Sequence, residues 1–118
     1  MNEIDATCII GDNVELGIGN KLLPYTVIYG PTKIGDNNII REFAAIQKPC
    51  YQDLTKIGNN VHLMQSVHVP HDAILQDDVI ITPMCVLAGI TKLLKGANIG
   101  MGSTIHQHSV VGQYSLIS

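Results

Sequence analysis

The sequence predicts an all-β fold: one parallel β-helix of hexapeptide repeats, about six coils tall, with a single extruded loop. Three observations predict it. An aliphatic residue recurs at every sixth place, several of these are followed directly by glycine, and a second register of small, uncharged residues keeps a fixed offset from the first.

The aliphatic register opens with Ile4, Ile10, Leu16, Leu22, Ile28, Ile34, Ile40 and Ile46. It continues through Ile57, Leu63, Val69, Leu75, Ile81, Leu87, Leu93, Ile99, Ile105, Val111 and Ile117. A period of six fits neither the helix nor the heptad, and pairs such as Ile10-Gly11, Ile34-Gly35, Ile57-Gly58 and Ile99-Gly100 read as a short strand entering a turn. The second register lies four places after each aliphatic residue, from Cys8, Val14, Asn20, Thr26, Thr32, Asn38 and Ala44 to Val61, Val67, Ala73 and onward. Strand side chains alternate, so the two registers share one face and define the interior.

Three hexads make one triangular coil, and residues eighteen apart then stack about 4.8 Å above each other. Asn20 falls under Asn38, where an amide ladder is expected in which the side chains satisfy each other's donors and acceptors. The column is expected to stand roughly 30 Å tall. Between Ile46 and Ile57 the spacing is eleven, so five extra residues leave the column as a loop over 47–56, centred on Gln47–Leu54. Since the period resumes unchanged, residues 1–118 read as one domain, with uncapped aliphatic layers at Ile4 and Ile117.

Composition narrows the function. With no Trp and one Phe, the core is aliphatic. A net charge of −3 and seven scattered basic residues give no basic stripe, so nucleic acid is not an expected partner. No apolar run is long enough to span a bilayer and no leader is evident, so the chain is expected to be cytoplasmic. Cys8, Cys50 and Cys85 lack CxxC spacing and are expected to be free thiols, mostly buried, with neither a disulfide framework nor a thiolate zinc site.

All five histidines fall outside the inner registers and should project from the column. His62 and His108 read as ordinary satisfied residues. His71 differs, because eighteen places on stands Gly89 and eighteen more brings Gln107, beside His106. That line places an imidazole, an accessible backbone and a polar cluster within about 10 Å. A neutral His71 beside Asp72 can serve as general base, the N–H at Gly89 can stabilise an oxyanion, and Gln107 can orient a polar substrate.

Leu63-Met64, His68-Val69, His71-Asp72, Leu87-Ala88-Gly89 and Ile105-His106-Gln107 resemble motifs of the acyl-carrier-protein-dependent UDP-N-acetylglucosamine O-acyltransferases of lipid A synthesis. Gln52-Asp53-Leu54 is similar to their substrate-contacting loop, and Glu42-Phe43-Ala44-Ala45-Ile46 to the strand before it. The resemblance implies a left-handed coil and a homotrimer with sites between columns. It further implies His71 as the base, Asp72 as its neighbour and Gly89 as oxyanion donor, with His68, Gln107, Gln52 and Asp53 on the sugar nucleotide and His106 on the acyl path. The donor it implies is acyl-CoA or acyl carrier protein and the acceptor a hydroxyl or amine of a sugar or sugar nucleotide, with no metal and no bound cofactor. Ile90 departs from the family, which has histidine there; one coil is missing after Leu54, and no helical C-terminal region follows.

Two other readings of the same fold are a non-catalytic trimeric binding module or shortened enzyme remnant, and a trimeric γ-type carbonic anhydrase. The latter needs three convergent imidazoles. His68, His71 and His106 supply the number, but Gln107 occupies the place in register with His71.

Overall fold

The computed structural model describes residues 1–50 and 54–118 as a left-handed parallel β-helix in which every strand is two or three residues long. Right-handed crossovers prevail elsewhere because long strands twist. Strands this short accumulate little twist to enforce that hand.

The strands stack into three faces. On the first, seven strands run from Glu3–Ile4 through Lys21–Leu22, Ile39–Ile40, His62–Leu63, Ile80–Ile81 and Asn98–Ile99 to Leu116–Ile117. The third face carries six: Val14–Leu16, Thr32–Ile34, Thr55–Ile57, Ile74–Leu75, Lys92–Leu93 and Val110–Val111. On the second face the sheet is divided. Ile9–Ile10, Val27–Ile28, Ala45–Ile46 and His68–Val69 form one part, and Val86–Leu87 with Thr104–Ile105 the other.

Ladder register gives the coil its length. Lys21 pairs with Ile39 and His62 with Ile80, eighteen residues apart, whereas Ile39 pairs with His62 and Thr32 with Thr55, twenty-three apart. The difference is the five residues assigned to the loop. Pairing resumes at Thr55, so Thr55 and Lys56, expected in the loop 47–56, belong to a strand instead. Gln52 and Asp53, expected to contact substrate, lie outside the described residues.

The interior follows both registers. From Leu22 to Val111 every residue of the aliphatic series is buried, and so is the second series from Asn20 to Ser103. Burying an Ile or Leu side chain contributes about 1.5–3 kcal/mol each. At the N-terminal coil Ile4 and Ile10 remain exposed. The longest dimension of the molecule is 33 Å, close to the expected height.

Asn20 and Asn38 stack as expected, but their amides bond to the backbone and not to each other's side chains. Asn20 Oδ1 accepts the Asn38 N–H at 3.0 Å and Asn38 Oδ1 accepts the Val61 N–H at 2.7 Å. Their Nδ2 groups donate to the carbonyls of Gly35 and Gly58. Asn2 begins the same ladder, its Oδ1 accepting the Asn20 N–H. An amide carries both donor and acceptor, so one side chain satisfies a buried N–H and a carbonyl that the coil geometry leaves over.

The cysteines differ from expectation. All three are free, yet only Cys85 is buried, with Cys8 partly covered and Cys50 exposed. Cys50 sits on the extruded loop, where no column shields it.

Asn38→Ala strands two buried backbone groups, each costing roughly 1–3 kcal/mol. Urea unfolding should register a loss on the order of 3 kcal/mol, several times that of the exposed Lys92→Ala.

Candidate functional site

His71 and Asp72 form the corner between the second and third faces, directly after Val69-Pro70. Pro70 explains the divided sheet. At equivalent places the Gln47 N–H donates to the Val69 carbonyl and the Ala88 N–H to the Ile105 carbonyl, each at 2.9 Å. A proline there has no N–H to donate, and the ladder stops between the His68–Val69 and Val86–Leu87 strands.

Asp72 takes a left-handed backbone conformation, φ +60°, which aspartate tolerates better than most residues. Its side chain is fully buried, and Oδ2 lies 2.9 Å from His71 Nδ1. The Cys50 N–H donates to the same oxygen at 3.1 Å. A carboxylate accepting from Nδ1–H leaves the lone pair on Nε2. The His71 ring is one-quarter exposed, so that nitrogen has an outlet.

Gly89 stands one coil above. A Cβ there would collide with the His71 ring, Nε2 foremost, so glycine is what lets the imidazole lie against this backbone. The Ile90 N–H donates to the His71 carbonyl at 3.0 Å and fixes the two coils at the corner. The Gly89 N–H has no acceptor among the described residues. Ile90 shares the left-handed conformation of Asp72 although it is β-branched.

The remaining expected residues spread outward. His68 is exposed on the second face, in register with Ala45. His106 and Gln107 are exposed one coil beyond Gly89, with His106 Nδ1 3.4 Å from the Gln107 carbonyl. The structure thus brings His71, Asp72 and Gly89 together, and leaves His68, His106 and Gln107 as a surrounding rim. Among the described residues no three His, Cys, Asp or Glu side chains converge as a metal site.

Two contributors were missed by sequence reasoning. The Cys50 amide reaches Asp72 from twenty-two residues away, and no pattern announces it. Pro70 carried a readable signal, a proline in a strand position. His62 also departs from the ordinary satisfied residue expected: its Nε2 is buried with no partner among the described residues.

Burial, and secondarily the Arg41 charge, hold His62 below the usual 6.5. The folded state therefore binds fewer protons there than the unfolded chain. The resulting stability is complete above 6.5 and is lost as pH falls from 6.5 through the depressed value. His62→Gln should flatten the melting temperature across that window, measured by thermal scans at stepped pH.

Gly89→Ala should push the His71 ring aside, because a side chain yields more readily than the column. The melting temperature should hold within a few degrees, while any reaction that depends on His71 should fall by about two orders of magnitude.

A family model described as bacterial transferase hexapeptide (six repeats) matches residues 7–48 and 54–89. The acyl-(acyl-carrier-protein)–UDP-N-acetylglucosamine O-acyltransferase of Gloeothece citriformis is 33% identical over 122 residues, covering 92% of this chain and 44% of that protein. Its counterpart in Verminephrobacter eiseniae is 29% identical, covering 92% and 47%. The chain spans less than half the length of these curated relatives. Among solved structures, a hexapeptide transferase family protein from Anaplasma phagocytophilum superposes with a TM-score of 0.75 at 18% identity, over 95% of this chain and 74% of that one. LpxA from Acinetobacter baumannii gives 0.62 at 24%, over 99% and 65%. PerB from Caulobacter crescentus, solved with CoA and GDP-perosamine, gives 0.70 at 15%, over 99% and 51%. At such identities the structural likeness is one of fold.

Proposed function

Since the chain belongs to the bacterial hexapeptide-repeat transferase family, we propose that it moves an acyl group from a pantetheine thioester to a hydroxyl or amine of a sugar or sugar nucleotide. The observation that carries this reading is the buried Asp72 carboxylate on His71 Nδ1, with the imidazole laid against Gly89.

In the reaction His71 Nε2 takes the acceptor proton as the acceptor oxygen or nitrogen attacks the thioester carbonyl carbon. The Gly89 N–H receives the oxyanion of the tetrahedral intermediate. Collapse breaks the carbon–sulfur bond, and the proton held on His71 passes to the departing thiolate. Asp72 keeps the imidazole in one tautomer and offsets the charge of the imidazolium. His68, Gln107, Gln52 and Asp53 hold the acceptor, and His106 lies on the acyl path.

Relatives named for acyl carrier protein support a carrier-protein donor, with coenzyme A as the other form of the same thioester. Such donors place the work in the cytoplasm. A homotrimer with sites between columns suits the apolar surface beside the second face, where Tyr25, Phe43, Met84 and Val86 are exposed. The Tyr25 and Phe43 rings stack there at 5.3 Å.

The test is thiol release from acyl-CoA and acyl-carrier-protein donors with mixed nucleotide sugars as acceptors. Acceptor-dependent release should fall about 10²–10⁴-fold in His71→Ala, and by a comparable factor in Asp72→Asn, which offers the wrong partner to Nδ1. Equal release from wild type and His71→Ala would remove the base assignment. Release from neither, in a folded sample, would favour the non-catalytic binding module.

A further inference from the structure

We propose that a groove on the third face is a binding site, separate from His71, for an organic phosphate that carries an apolar part. The groove encloses about 530 Å³, within the usual range for small-molecule sites. Lys33, Lys56 and Lys95 line it, and Ile74, next to Lys56 in the outward row, is its apolar side chain.

The charge pattern is an independent observation. The outward row of this face runs Glu15, Lys33, Lys56, Ile74, Lys92 and Val110 in ladder register. Lys33 and Lys56 are direct partners, one strand spacing of about 4.8 Å apart. Like charges placed opposite each other destabilise a sheet. Among the described residues no ion pair relieves Lys33, Lys56 or Lys95, Glu15 included. Asp77, the carboxylate in the lining, has Oδ1 committed to the Asn59 N–H at 2.8 Å.

Gly35 and Gly58 stand at its end, where the Asn59 and Asp77 side chains occupy the space that a Cβ would need. A phosphate dianion can answer two ammonium groups one strand apart, which a single carboxylate cannot, and lysine is an established phosphate partner as a point charge. Ile74, with the methylene stems of the lysines, then covers the apolar remainder of the ligand.

The proposal is tested by calorimetric titration with octyl phosphate, with inorganic phosphate and octanol as separate arms. Octyl phosphate should bind saturably, at least tenfold tighter than either arm, and more weakly as salt rises. In the double variant Lys33→Gln, Lys56→Gln the affinity should drop at least tenfold, while the unliganded protein melts no lower than wild type. His71→Ala should bind like wild type. Absence of saturation at millimolar octyl phosphate, or equal binding by the double variant, would overturn the site. Equal affinity for inorganic phosphate would overturn its apolar half, and loss of binding in His71→Ala would overturn its separation from the reaction centre.

Discussion

The structure depends on one constraint: each coil must lie flat on the next so that short strands find their hydrogen-bond partners in the neighbouring coils, eighteen residues away except across the loop. A two-residue strand has no stability of its own. Its partners come from the neighbouring coils, as when the Ile39 N–H donates to the Val61 carbonyl and the Lys21 N–H to the Asn38 carbonyl. A residue added or lost within the path of the coil itself would shift those bonds on all the faces that follow. The loop is tolerated because it leaves and rejoins at one corner, without altering the path of the coil it interrupts.

That constraint also sets the chemistry. Stacking at a fixed residue interval is what brings a backbone N–H beside an imidazole from the previous coil. His71 and Gly89 are neighbours because the register makes them so, and their contact demands that one of them lack a side chain. The same register forces Lys33 against Lys56, where the outcome is repulsion. Position in the hexad thus decides which outward residues meet, and the identity of those residues decides whether the meeting stabilises the column or readies it for a ligand.

Much of the column was legible because the aliphatic position recurs nineteen times along the chain. Leu22 to Val111 needed only the period, and the loop length needed only the one miss in it. The line from His71 to Gly89 followed from the same arithmetic. Handedness did not, since a period of six is the same for either hand, and it came from the resemblance of motifs such as Leu87-Ala88-Gly89. Side-chain partners were harder still. Asn20 was placed correctly, but its partner was a backbone amide, because rotamers and not the period decide where an amide points. Cys50 joined Asp72 through a loop whose path no repeat prescribes.

The proline at position 70 has one further consequence for the mechanics of the column. In a stack of repeats, cooperativity passes only between nearest neighbours. On the second face the coils carrying His71 and Gly89 are not joined by a backbone ladder, and at the corner they are held by the Ile90 N–H to the His71 carbonyl. His71 and Gly89 therefore stand on either side of an interruption in that ladder. Fewer backbone bonds hold these two coils together on that face than hold the coils on either side of them.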